Sequence, residues 1–72
     1  MTIESVSDIP STAQIHATTV YGFSLVIHTL DDGTFYISTW GPEVITGPHD
    51  ANVGEHQAIH WHLEIIDERT ER

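Results

Sequence analysis

Six histidines and eleven carboxylates in 72 residues are the side chains on which any chemistry of this chain would rest. His56 and His60 stand four apart, so a helix would project both from one face, a spacing that can share a zinc ion. Glu64 continues the stripe, but residues eight apart are separated by about 12 Å along a helix axis. One ion would need a further ligand from elsewhere. Glu55 precedes His56, whereas the His-Glu-x-x-His arrangement of a metalloprotease needs its general base after the first ligand. His60 and His62 would share a face only in a strand, and His16 with His28 on neighbouring strands is a weaker pair. The pattern describes a solvated polar face, and neither metal nor other cofactor is expected. His62 differs, because on a helix it falls near the centre of the apolar face, beside Ala58, Ile65 and Ile66. That is the place of a core or interface histidine, whose ring buries an apolar body and bonds one polar atom.

Nucleophilic and phosphate chemistry find no footing. The chain has no cysteine, no lysine, no Gly-x-Ser-x-Gly elbow and no glycine-rich phosphate loop. Asp31 and Asp32 are adjacent, but a hairpin turn explains them. A small sheet under one helix offers little of the concavity that paired acid–base carboxylates require. No enzyme activity is expected.

Charge carries the stronger message. Eleven acids face two bases, giving a net charge of −9, and both bases, Arg69 and Arg72, lie in the last four residues. A folded chain of this length has a radius of gyration near the screening length of physiological salt, about 8 Å. The carboxylates therefore reinforce one another over much of the surface. Direct binding to nucleic acid or to an anionic membrane is disfavoured, and attraction to a basic protein surface is favoured.

The elements that must position these groups follow from periodicity. Between residues 58 and 65 two patterns compete. Ile59, Trp61, Leu63 and Ile65 alternate as in a strand, but at 100° per residue Ala58 and Ile66 join them on one broad face. The helical template accounts for more residues, and a helix over residues 50–68 is expected. Asp50 and Asn52 are candidate N-caps, with Glu55 three residues after Asn52 as in a capping box. Asp67, Glu68 and Glu71 crowd the unfavourable end of the helix dipole, partly offset by the two arginines. Upstream, residues 1–13 are Ser/Thr-rich and read as a loose lead-in. Gln14 to Val20 and Phe23 to Leu30 read as strands separated by a bend at Gly22. Asp31-Asp32-Gly33 gives a tight turn, Thr34 to Trp40 a return strand and Gly41-Pro42 a second turn. Glu43 to Thr46 is a short fourth strand, before Gly47-Pro48 turns the chain into the helix.

This order predicts one α+β domain: an antiparallel β-meander of three or four strands at 14–46, covered on one face by a C-terminal helix. The helix should lie on Phe23, Leu25, Ile27, Phe35 and Ile37. The opposite face, with Val26, Leu30, Tyr36 and Trp40, would be left bare as a contact surface, unless the N-terminal segment folds across it. A chain this short buries only about 60% of its unfolded surface, which makes a homodimer or a tight partner an expectation. No apolar run approaches the roughly 20 residues of a membrane span, and MTIESVSDIP lacks the regions of a signal peptide. A cytoplasmic setting is expected.

The run VITGPHD, feeding an amphipathic helix with Ala58 and Trp61 three apart, resembles a pattern in small bacterial and phage proteins. In those, a strand ends in Gly-Pro-aromatic-Asp before a helix bearing Ala and Trp; here His49 replaces the aromatic. The resemblance covers residues 43–66 and implies fold only. Small size and missing bases are also similar to phage-encoded anti-CRISPR and other anti-defence inhibitors that imitate the charge of DNA. That likeness implies a non-enzymatic inhibitor blocking a basic, nucleic-acid-binding surface of a partner protein. The residues expected to carry such a contact are Asp31, Asp32 and Glu43 at the sheet ends and Glu55, Glu64, Asp67 and Glu68 along the helix. Tyr36 and Trp40 are the expected aromatic anchors. Two other readings remain: a self-associating assembly subunit using the open sheet face or the edge strand 14–20, and a histidine-based metal-binding protein.

Overall fold

Alternation sets the sheet. The computed structural model describes residues 6–40 and 43–70, and within them four strands follow one another as neighbours: β1 (Gln14–Val20), β2 (Phe23–Thr29), β3 (Phe35–Thr39) and β4 (Val44–His49). All three pairings are antiparallel. The expected turn at Gly41-Pro42 lies outside the described residues, as do the first five residues and the terminal Glu71 and Arg72. The chain ends in α1 (Glu55–Thr70). The architecture is the expected α+β meander with one covering helix, and all four strands form.

Residues opposite one another in register share a face. Leu25 pairs with Thr39, Ile27 with Ile37, and Thr29 with Phe35; these point toward α1. Leu25, Ile27, Phe35 and Ile37 form one core cluster with Ala58 and Ile59 of the helix, as the sequence predicted. On α1 the buried positions are Ala58, Ile59, His62 and Ile66, an arc about 100° wide with His62 near its middle. Trp61 falls outside that arc and is 44% exposed. No helix among the described residues is long and apolar enough to cross a membrane.

The structure corrects four local expectations. First, β4 does not stop at Thr46. It continues through Gly47-Pro48 to His49, with a cis Gly47–Pro48 peptide. The register slips between Phe35 and Ile37, and a bulge on an edge strand is where a proline can sit without breaking a ladder. Second, α1 starts at Glu55. Its first bond runs from the Ala58 amide to the Gly54 carbonyl, while the Asp50 carboxylate accepts from the Asn52 amide in a separate turn. Neither Asp50 nor Asn52 caps the helix.

Third, the lead-in is ordered where it is described. A short 3-10 turn at Val6–Asp8 leads to Ile9 and Ala13, both buried. They pack on Tyr36, with Leu30 and Ile45 alongside. Fourth, that packing covers part of the sheet face expected to be bare. Tyr36 is only 9% exposed and is removed from the contact residues. His28 and Ser38 are also buried on this face, joined by a 2.9 Å hydrogen bond. The bare remainder lies toward β1, where Ile15 is 69% exposed, and at Trp40, 62% exposed.

Candidate functional site

α1 and the β1–β2 hairpin leave a groove between them. The hairpin closes on two residues, Tyr21 and Gly22, flanked by the Val20–Phe23 pair. Both turn residues have positive φ, 51° and 81°, as the twist of a two-residue hairpin demands. The groove has two adjoining hollows, of about 350 and 300 Å³. Both are lined by Tyr21, His60 and Leu63. The floor is apolar: Val20, Phe23 and Leu63 are partly buried against the core cluster, and Ile59 belongs to it. The rim is charged: Glu64 and Asp67 border one hollow, Glu55 and His56 the other. His60 Nε2 and a Glu64 carboxylate oxygen, one helical turn apart, are 2.9 Å from each other and open to solvent.

This arrangement gathers three of the expected acids, Glu55, Glu64 and Asp67, on one surface. Glu68 is exposed farther along the same helix. Asp31 and Asp32 are elsewhere, in the β2–β3 turn, where they border a shallow hollow with Pro10 and Leu30. The Asp32 carboxylate accepts from the Thr34 hydroxyl at 2.6 Å and the Thr34 amide at 2.9 Å, and these bonds hold its ionisation below the usual carboxylate range. Its turn role is thus structural as well as electrostatic. Trp40 and Glu43 are exposed and leave the sheet at the same end as Tyr21, since Leu25 pairs with Thr39. Tyr21 itself escaped the sequence reading. The signal was present: Tyr-Gly stands between two β-rich runs with two-residue spacing.

Beneath the helix lies a second polar feature, fully buried at His62 and half-buried at Thr46 and His49. Thr46 and His49 face α1 because their partners Ile37 and Phe35 do. The Thr46 hydroxyl meets His62 Nδ1 at 2.8 Å and His49 Nε2 at 3.0 Å, and the His49 ring leans on Phe35 with centroids 5.2 Å apart. One hydroxyl has one proton, so one imidazole must donate to its oxygen. His62 Nε2 is buried without a partner. An orphaned N–H there would cost more than a bare lone pair, which places the His62 proton on Nδ1, donating to Thr46, with Thr46 donating to His49. Adding a second proton would create a buried cation with no acceptor. Burial first, and the neighbouring His49 second, push the His62 pKa down to about 4. Burial also lowers His49 and His28.

His62 is therefore the core histidine the sequence suggested. Among the described residues no three histidine, aspartate or glutamate side chains converge as a metal-ligand set. No protein-family model, curated protein sequence or solved structure matches this chain. What the groove and the acid surface can do is set by their own chemistry: desolvate a bulky apolar side chain on the floor, and hold cations along the rim.

Proposed function

We propose that this chain is a non-enzymatic binding protein whose acidic surface occupies a basic, nucleic-acid-binding surface of a partner protein. One observation carries the reading. Asp8, Asp31, Asp32, Glu43, Asp50, Glu55, Glu64, Asp67 and Glu68 are all exposed, and no lysine or arginine precedes residue 69. The mechanism is steric and electrostatic competition: carboxylates take the lysine and arginine side chains that otherwise hold phosphates. Phage-encoded inhibitors of host defence are the most concrete form of this reading.

The experiment is affinity capture from cell extract on the immobilised protein, followed by elution with salt and with duplex DNA. Captured proteins should be nucleic-acid binders released by both. The variant Glu64→Lys/Asp67→Lys/Glu68→Lys should retain the fold and capture about 3- to 100-fold less, since each of the three charge pairs is worth about 0.2–1 kcal/mol at an exposed site. Capture indifferent to salt, DNA and charge reversal would overturn the reading.

A second reading, self-association, is favoured by β1. It is an edge strand, QIHATTV, with no proline, lysine or acid, and five of its seven residues are exposed. The usual protections of an edge are missing. On this reading, light scattering at micromolar concentration finds a dimer that Ala17→Lys dissociates; a monomer throughout removes it.

A further inference from the structure

We infer that the groove between the β1–β2 hairpin and α1 is the docking site for a cationic segment of a partner protein, anchored by a bulky apolar side chain and clamped by Tyr21. The inference rests on the binding function proposed above and gives it a location. Tyr21 is the decisive residue. Its backbone sits at φ 51° in a turn position that asparagine, aspartate or glycine fills with less strain. Its ring is 88% exposed and so adds almost nothing to the core. A large aromatic held at a strained position without serving the fold points to a contact made with something else.

The surroundings define that contact. Phe23 and Leu63 offer an apolar floor next to Tyr21, while Glu64 and Asp67 stand on the helix side of the same hollow. An apolar side chain entering from above loses water against the floor and the Tyr21 ring, and an arginine or lysine beside it meets the carboxylates. A nucleic acid or acidic peptide would face only repulsion here. A purely apolar partner would desolvate the rim carboxylates while offering them no cation. Charge and shape together select a segment that is basic and greasy at once.

The test uses two probes: a short synthetic peptide combining arginines with leucines, and poly-arginine of equal charge. Tyr21→Asn should melt at the same temperature as the parent or higher, because asparagine suits the turn. It should bind the arginine–leucine peptide about tenfold more weakly, through the lost apolar contact, and poly-arginine equally well. Amide shifts on adding the mixed peptide should centre on Tyr21, Phe23 and Leu63. If Tyr21→Asn binds the mixed peptide as tightly as the parent, or the shifts fall on Trp40 and the Asp31–Asp32 turn, the groove is not the site, although poly-arginine binding would keep the acidic-surface function alive. If neither peptide binds at low salt, both proposals fall.

Discussion

Acidification from pH 7 to pH 4 will remove about 3 kcal/mol of folding stability through one side chain, and His62→Leu will abolish most of that dependence. His62 ionises at about 4 in the folded protein and at 6.5 when free. The folded state thus binds fewer protons than the unfolded state between those values. Its contribution is complete above pH 6.5, erodes as pH falls through 6.5, and is spent near pH 4. The structural cause is burial, which leaves Nε2 with no acceptor for a second proton, with the neighbouring His49 second. His49 and His28 are lowered in the same direction and steepen the loss. Protonating carboxylates works against it, since a chain of net charge −9 repels itself less as acids neutralise. The comparison that isolates His62 is therefore parent against variant, by urea unfolding at a series of pH values. At pH 7 His62→Leu should lie within about 1 kcal/mol of the parent, because leucine fills a similar volume and removes a half-satisfied ring. Two pH profiles that run parallel would show that His62 does not titrate as a buried group.

The sheet and its coverage were legible because the signals were local. Phe23, Leu25 and Ile27 alternate, Phe35 and Ile37 answer them across an Asp-Gly turn, and Ala58, Ile59 and Ile66 recur at helical spacing. Even the central placement of His62 could be read from that spacing. What escaped depended on tertiary contact. Ile9 and Ala13 sit in a Ser/Thr-rich stretch with no periodicity, and only the Tyr36 ring beneath them makes them core. The sequence therefore leaves two readings of Tyr36, open surface or the seat of the N-terminal segment, and the packing selects the second. Gly47-Pro48 has turn composition, yet it continues a strand, because β4 is an edge and the bulge absorbs the extra residue. The acids were legible one by one. Their place along the helix was legible too, but not their place beside Tyr21, since Glu64 and Asp67 share a hollow with that ring only when the hairpin reaches the helix.

Gly47→Ala is expected to cost about 3–5 kcal/mol, far more than alanine at any other glycine of known surroundings. Two effects combine at this position. The backbone has φ 137°, which side chains rarely adopt. An added Cβ would also lie 2.6 Å from Tyr36 Cδ2 and 2.9 Å from the Phe35 carbonyl oxygen. Neither neighbour can yield cheaply, because the carbonyl is strand backbone and the Tyr36 ring is pinned by Ile9 and Ala13. Gly22→Ala is the natural control. It shares a positive φ, 81°, but nothing lies within 4 Å of its added Cβ, so only backbone strain of about 1–2 kcal/mol applies. For a domain of this size the difference should appear as a gap on the order of 15 °C in melting temperature. A double-mutant cycle with Tyr36→Leu divides the penalty further, since a smaller side chain relieves the ring contact and leaves the carbonyl contact in place. Equal losses at Gly47 and Gly22 would mean that β4 does not approach Tyr36 closely, and the packing of the N-terminal turn over that ring would have to be redrawn with it.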